Sequence, residues 1–242
     1  MSTGLLVLAA ALWGAAAGAL LPRAAYRFSA PSGEPWRHQC PGGHPVRGWL
    51  GPASCRDCEE PGYGPRTTPL ALTTAALCAA LAAATGTRPE IAVWLLLAPV
   101  GVLLTVVDFR VRRLPDPLTL PFAAAALALL GLTALVPEHA GQWTTALLGS
   151  LALGGGYFVL FLVNPAGMGF GDVKLALGAG AVLGWYGWST VMLGTFAGFL
   201  LGALYGLALV VTRRATRKTA IPFGPFLITG ALLGLLIGAY TA

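Results

Sequence analysis

Two aspartates beside long apolar stretches are the residues of this sequence best suited to chemistry. Asp108 ends the apolar run Ile91 to Val107, and Asp172 lies in a glycine-rich break between two apolar stretches. An ionisable side chain at membrane depth loses its hydration, and such residues usually face a cavity or a partner. The two acids are 64 positions apart (172 − 108), with two predicted spanning helices between them. An up-and-down passage through two helices therefore predicts both carboxylates at one face of the membrane and at one depth.

A pair of carboxylates can hydrolyse a peptide bond. One is ionised and takes a proton from water, while the other is protonated and donates to the scissile carbonyl oxygen. Gly169 and Gly171 suit such a site, because residues without a Cβ let a substrate backbone approach closely. The alternative is that Asp108 and Asp172 are solvated acids at helix ends. For Asp116, which lies between two prolines, the favoured interpretation is a cap of the following helix.

The basic residues near these acids have two interpretations each. Lys174 follows Asp172 by two residues and either holds a carboxylate or a substrate acid, or extends to the membrane interface as lysines at helix ends commonly do. The basic loop of Arg110, Arg112 and Arg113 is predicted to set the topology and to meet anionic lipid head groups.

The composition predicts an integral membrane protein. Of 242 residues, 56% are hydrophobic and 10% are charged, against roughly 25% charged in an ordinary soluble domain. The net charge of +6 comes from basic residues that flank apolar runs, which indicates membrane topology and not a nucleic-acid partner.

The positions of the apolar runs predict an all-α fold with about eight transmembrane helices, each needing about 20 residues to cross the bilayer. The run Val173–Trp188 is short and rich in glycine, which indicates a partial or closely packed helix beside a water-accessible cavity. The predicted spans are 4–21, 69–84, 91–107, 118–136, 143–163, 173–188, 191–212 and 222–240.

Charge placement orients these spans. No basic residue precedes the first apolar run, and Arg23 and Arg27 follow it, so it is predicted to be an uncleaved span and not a secretory signal. Alternation through eight helices puts 14 of the 15 basic residues on one side and only Arg88 on the other. By the positive-inside rule, we expect both termini outside and both aspartates at the cytoplasmic face. The predicted division is a first helix over 1–21, a cytoplasmic loop over 22–68 and a seven-helix domain over 69–242.

The predicted loop contains three of the four cysteines. Cys55 and Cys58 form a C-x-x-C arm, which suits tetrahedral zinc because both thiolates can reach one ion. Cys40 adds a third ligand, and His44 or His38 a fourth. In a reducing compartment such a cluster is more often a metal site than a disulfide; the alternative is three free thiols in a flexible loop. Cys78 lies in an apolar run, where a buried thiol is expected.

Three motifs, in order, resemble those of the type IV prepilin peptidases, which are membrane aspartyl proteases of the G-x-G-D type. The resemblance covers residues 69–242 well and the first 68 loosely. It implies a bacterial inner-membrane enzyme that cleaves the basic leader of prepilin or pseudopilin-like proteins without a cofactor, using Asp108 and Asp172. The motifs are Asp108 leading into Leu114-Pro115-Asp116-Pro117-Leu118-Thr119-Leu120-Pro121, then Gly169-Phe170-Gly171-Asp172-Val173-Lys174-Leu175, and Ile221-Pro222-Phe223-Gly224-Pro225-Phe226.

The resemblance also implies a second activity in some members, which methylate the new N-terminus with S-adenosylmethionine. The segment Gly18–Ser29 is similar to the family's determinant, but Pro22 replaces the usual asparagine and Arg27-Phe28-Ser29 replaces Arg-Leu-Pro. The loop also departs from the family's two C-x-x-C pairs, since the first pair is reduced to Cys40. S-adenosylmethionine is expected only if methylation is retained.

Two rival functions remain open from the residues. A small transporter or channel could use the two acids to relay protons or bind a cation, since interrupted spans are found in transporters. Such folds usually show paired interruptions in two halves, which this sequence lacks. The other rival is an enzyme whose main task is N-methylation.

Overall fold

The computed structural model describes residues 2–58, 62–165, 167–214 and 221–242. Two of the basic residues counted for topology, Arg217 and Lys218, lie outside these ranges. The predicted all-α class is confirmed, because the described residues form eight helices and only isolated β-bridges. The helices are α1 (Thr3–Phe28), α2 (Thr67–Thr85), α3 (Ile91–Val111), α4 (Asp116–Thr133), α5 (Trp143–Val163), α6 (Phe170–Gly184), α7 (Trp188–Val211) and α8 (Gly224–Thr241).

Seven of these helices are long and apolar enough to cross a membrane, so the chain is a multi-pass membrane protein. The remaining one, α6, has 15 residues and is therefore only about 22 Å long. It is the short, glycine-rich run anticipated from the sequence. Eleven of its residues are buried, because α4, α5, α7 and α8 all pack against it. Helix α6 is therefore surrounded by other helices of the protein, whereas a longer helix would also contact lipid.

The chain forms two compact units. One comprises Met1–Thr87 with Trp94–Arg113, and the other comprises Arg88–Val93 with Leu114–Ala242. The units group α2 and most of α3 with α1, while the division into a first helix, a loop and a seven-helix domain stays a prediction. Helix α1 also continues past residue 21 to Phe28. On its last turns, Arg23 and Arg27 donate hydrogen bonds to backbone carbonyls of the following loop.

Close helix approach in both units depends on glycine. A Cβ at Gly14 of α1 would lie 2.5 Å from the Thr74 carbonyl oxygen of α2, and one at Gly149 of α5 would lie 2.6 Å from the Gly180 carbonyl oxygen of α6. In the same way Gly230 of α8 meets the backbone of Gly194 on α7. Small residues allow such packing in membranes, where the hydrophobic effect does not drive helices together.

A buried acid links several chain segments of the second unit near the C-terminal end of α6. Glu90 is completely buried, and its Oε1 accepts hydrogen bonds of 3.3 Å from the Ala140 N–H and from the Tyr186 hydroxyl. Arg88, the one basic residue predicted outside, lies 4.0 Å from Glu90 and donates to the Ala239 carbonyl. Arg88 therefore has a structural role near the C-terminal end of α6.

The glycine contacts predict a contrast between two positions of α5. Gly149→Ala should lower the free energy of unfolding by about 1–3 kcal/mol, because the new methyl overlaps the backbone of α6. Gly156→Ala is the matched control, since no atom lies within 4 Å of a Cβ there, and alanine favours a helix over glycine. Thermal unfolding of the purified protein in detergent measures both, and equal effects would contradict the packing explanation.

Candidate functional site

Asp172 is held by the turn that begins α6. The helix starts at Phe170 after Gly169, and the Gly169 N–H donates a hydrogen bond of 3.1 Å to Asp172 Oδ2. In return the Asp172 N–H donates to the Gly169 carbonyl at 3.0 Å. The side chain is 7% exposed. A carboxylate in the first turn also benefits from the positive end of the helix dipole, so this position favours a charged acid inside the protein.

The two glycines of the G-x-G-D segment have different surroundings. A Cβ at Gly171 would lie 2.8 Å from the Leu114 Cβ, whereas one at Gly169 would lie 3.5 Å from Asp172 Oδ2. Gly171 therefore lets the start of α6 pack against the segment that precedes α4. Close packing is therefore a second explanation for glycine at position 171, beside the predicted approach of a substrate backbone.

Lys174 and Asp116 form an ion pair. The Lys174 Nζ lies 2.6 Å from Asp116 Oδ1, and the lysine side chain is 17% exposed against 60% for the aspartate. The ammonium also lies 4.9 Å from the centroid of the Phe170 ring. Lys174 thus holds a carboxylate, as in one of its two interpretations from the sequence, and a role towards a substrate acid stays a prediction. Helix α4 begins at Asp116 itself after Pro115, so the predicted role of Asp116 as a cap is wrong. Its carboxylate pairs with Lys174.

Asp108 belongs to the first unit and lies in the last turn of α3, where it is 4% exposed. The helix ends soon after it, because Arg112 adopts a positive φ of 50° and donates its N–H to the Asp108 carbonyl at 2.8 Å. A carboxylate at the C-terminal end of a helix meets the negative end of the dipole. The helix dipole by itself therefore disfavours the charged form of Asp108.

The four predicted metal ligands come together. The ligand atoms of Cys40, His44, Cys55 and Cys58 all lie within 4.8 Å of one another. Cys40 and Cys58 have their sulfurs 3.5 Å apart, and His44 Nδ1 lies 3.4 to 3.6 Å from the three sulfurs. Ligand atoms around a tetrahedral zinc ion are about 3.5–3.8 Å apart, given its bond lengths. The donor set and its spacing therefore fit a metal ion.

The turn between Cys40 and His44 explains this spacing. The Gly43 N–H donates to the Cys40 carbonyl and the Cys40 N–H donates to the His44 carbonyl, each at 2.9 Å. Gly43 has φ of 81°, a conformation that favours glycine. A Cβ at Gly42 would lie 2.8 Å from Cys58 Sγ. The sequence left His44 and His38 as alternatives, and His38 is instead 2.8 Å from an Arg27 nitrogen.

The thiols of this cluster polarise one another. Burial raises the pKa of Cys40, but hydrogen bonds from Cys58, His44 and Cys55 outweigh it and lower that pKa to about 6. The hydrogen bonds that Cys58 makes to Cys40 and Cys55, together with burial, raise the pKa of Cys58 to about 12. Hydrogen bonding among the thiols therefore moves the pKa of Cys40 and the pKa of Cys58 in opposite directions.

Two arginines at the end of α1 anchor the loop that carries the cluster. Arg27 is buried, donates to the Gly48 carbonyl at 2.6 Å and lies 3.8 Å from the centroid of the Trp49 ring. Arg23 donates to the Arg47 carbonyl at 2.7 Å. The sequence identified both arginines as topology signals and as part of the segment similar to the family's methylation determinant. It did not indicate this anchoring, because the backbone carbonyls that they bind have no signature in a sequence.

Comparisons with known proteins bear on what these residues do. The model of the type IV leader peptidase family matches residues 95–207, which include both aspartates. A prepilin leader peptidase/N-methyltransferase of Pseudomonas aeruginosa is 32% identical over 214 residues, which cover 81% of this chain and 69% of that protein. The chain belongs to the type IV leader peptidase family. The resemblance found in the three motifs is thereby confirmed.

Other relatives of the same description match less of their own length. The protein of Aeromonas hydrophila is 33% identical over 203 residues, covering 80% of this chain and 66% of that one. The protein of Aeromonas salmonicida is 36% identical over 152 residues, covering 60% and 48%. The chain thus spans about half the length of some relatives that it matches. No solved structure matches it.

The ion pair predicts measurable coupling between Asp116 and Lys174. Asp116→Asn and Lys174→Gln should each destabilise the family member, and the double variant should lose less than the sum, with a coupling of about 0.5–1 kcal/mol because Asp116 is exposed. Unfolding in detergent at low and high salt gives the cycle, and salt should weaken the coupling. As a control, Asp116→Asn combined with Arg213→Gln should be additive. Additive effects of Asp116→Asn and Lys174→Gln would mean that the ion pair contributes nothing to the free energy of unfolding.

Proposed function

We propose that this protein is a membrane aspartyl endopeptidase that removes the basic leader of type IV prepilin or pseudopilin-like precursors. The observation that carries the proposal is the pair of buried carboxylates, Asp108 and Asp172, within the segment that matches the type IV leader peptidase family. The relatives' description as prepilin leader peptidases supplies the substrate class. Family membership gives the transporter alternative no support.

The helix positions indicate which of the two aspartates acts as the general base and which as the general acid. The start of α6 favours an anionic Asp172, and the end of α3 disfavours an anionic Asp108. We therefore assign Asp172 as the base that takes a proton from water and Asp108 as the acid that donates to the scissile carbonyl oxygen. In a dyad that works in this way the titration belongs to both acids.

The same proposal fixes the orientation and the partners. With the loop over 29–66 and both aspartates on the cytoplasmic side, both termini are outside, as the basic residues indicate. A prepilin leader would then meet the enzyme in the cytoplasm while its apolar helix lies in the membrane. Membrane lipids are the other expected partners, since the chain has seven helices suited to spanning.

We further propose that Cys40, His44, Cys55 and Cys58 bind a structural zinc ion. The ligand spacing supports this, because three sulfurs and one nitrogen at these separations match tetrahedral coordination. A zinc ion here would tie the segment after α1 to the Cys55-x-x-Cys58 arm and thereby stabilise the loop. The ion has no part in the proposed proteolysis.

N-terminal methylation is a second activity that the relatives' description includes. In this chain the end of α1 that corresponds to the family's determinant has a structural task, since Arg27 binds Gly48 and packs on Trp49. Whether the cleaved product gains one methyl group from S-adenosylmethionine is decided by its mass.

The dyad predicts that Asp108→Asn and Asp172→Asn each lower the rate of leader removal about 10²- to 10⁴-fold, because each substitution removes a proton-transfer group. The assay is cleavage of a prepilin from the same cell by purified enzyme in detergent, with mass spectrometry of the product. Asp116→Asn is the matched control and should keep most of the activity. A folded Asp108→Asn or Asp172→Asn variant that cleaves like wild type would refute the assignment.

The metal site predicts one zinc ion per chain in the purified protein. Cys55→Ser should lower the bound zinc severalfold and destabilise the loop, because it removes one of four ligands. Cys78→Ser should leave the metal content unchanged, since Cys78 is buried in α2 away from the cluster. Elemental analysis measures the metal and limited proteolysis measures the loop. Wild-type protein purified without zinc would contradict the site.

A further inference from the structure

Tyr157 has a buried hydroxyl that the sequence analysis missed. The residue lies in α5 and is 1% exposed. Within the described part of the chain its hydroxyl has no hydrogen-bond partner. Buried hydroxyl groups are usually hydrogen-bonded, and leaving one unpaired is costly. An unpaired hydroxyl in a family enzyme therefore calls for a function.

The packing of α5 against α6 places Tyr157 at the level of Asp172. The two helices run antiparallel, with Gly149 against Gly180 and, further along, Gly154 against Leu177. Tyr157 lies one turn after Gly154 in α5. The part of α6 at the same level is its first turn, which carries Asp172. The phenol and the Asp172 carboxyl are close enough to interact electrostatically.

The ring of Tyr157 is held between aromatic residues from two other helical segments. It stacks on Phe199 of α7 at 5.7 Å between centroids and lies 5.9 Å from Phe223, which precedes α8. Phe199 and Phe223 are themselves 5.2 Å apart. Phe223 belongs to the third motif, so that motif helps to fix where the hydroxyl lies.

We propose that Tyr157 is a positioning residue whose hydroxyl donates a hydrogen bond to the Asp172 carboxylate when that acid is ionised. This inference rests on the proposed function, in which Asp172 is the base. One Asp172 oxygen already accepts from the Gly169 N–H, and a carboxylate has room for further donors. The hydroxyl would stabilise the anion and fix the direction of its second oxygen.

Among the described residues, several charged groups of neighbouring elements lie towards this end of α6. Asp116 and Lys174 pair with one another. Arg213 and Arg214 follow α7 and are exposed, while α8 begins with the uncharged Gly224-Pro225-Phe226. Tyr157 is the buried donor that α5 contributes.

The test is Tyr157→Phe, which removes only the hydroxyl. Because a hydrogen bond to a charged group is lost, kcat should fall about tenfold with little change in KM. Asp172 becomes harder to ionise without the donor, so the acid limb of kcat/KM against pH should move about one unit to higher pH. The unfolding temperature should stay equal or rise, since the substitution removes an unpaired buried hydroxyl.

The control is Tyr205→Phe on α7, whose ring lies 5.1 Å from Phe226 and is partly exposed. It should leave rate, pH profile and stability unchanged. An unchanged kcat and pH profile in Tyr157→Phe would overturn the proposal, and so would a loss of activity that only follows a loss of stability.

A readout without substrate separates this proposal from the proposed function. Infrared titration of the carboxyl band that disappears in Asp172→Asn should show a higher midpoint in Tyr157→Phe than in wild type. If wild type does not cleave prepilin but this midpoint moves, the peptidase proposal fails and the hydrogen bond stands. If wild type cleaves and the midpoint does not move, the hydrogen bond is wrong and the peptidase stands.

Discussion

The structure depends on keeping a carboxylate ionisable inside a bundle of apolar helices. A buried charge loses its hydration, and the loss must be offset by dipoles and donors placed around it. At Asp172 these are the first turn of α6 and the N–H of Gly169. The acid lies in the first turn of this short helix, where Leu114 and Asp116 from the start of α4 lie against it.

A short buried helix needs close neighbours, and this accounts for many of the 33 glycines. Gly149, Gly180 and Gly184 bring the backbones of α5 and α6 together, while Gly171 admits Leu114 against the start of α6. The ion pair of Asp116 and Lys174 joins α4 to the same turn. The close backbone packing of α6 leaves Asp172 little freedom to move, which helps a base to act on a bound peptide.

Sequence patterns predicted the features that depend on residue type and local spacing along the chain. Apolar runs predicted the helices. The C-x-x-C arm with Cys40 and either His44 or His38 predicted the members of the Cys and His cluster, because residue type and local spacing are visible in a sequence. The partner of Lys174, the anchoring task of Arg27 and the burial of Tyr157 were missed or left open. Each depends on which helices pack together, and a carbonyl or an aromatic neighbour on another helix has no signature in the sequence. The cap assigned to Asp116 was wrong for the same reason: flanking prolines suggested a local role, and a tertiary ion pair prevailed.

The first unit shows that topology signals and structural anchors can be the same residues. Arg23 and Arg27 lie where the positive-inside rule expects them, and their guanidinium groups bind carbonyls of the loop that carries the Cys and His ligands. Arg113, after α3, likewise donates to the Pro31 carbonyl at 2.9 Å and lies over the Trp36 ring. A lysine could orient the helix equally well, but it lacks the planar fork of donors and the stacking surface. The loop therefore favours arginine at these positions, and its fold is coupled to α1, which carries Arg23 and Arg27, and to the end of α3, which carries Asp108.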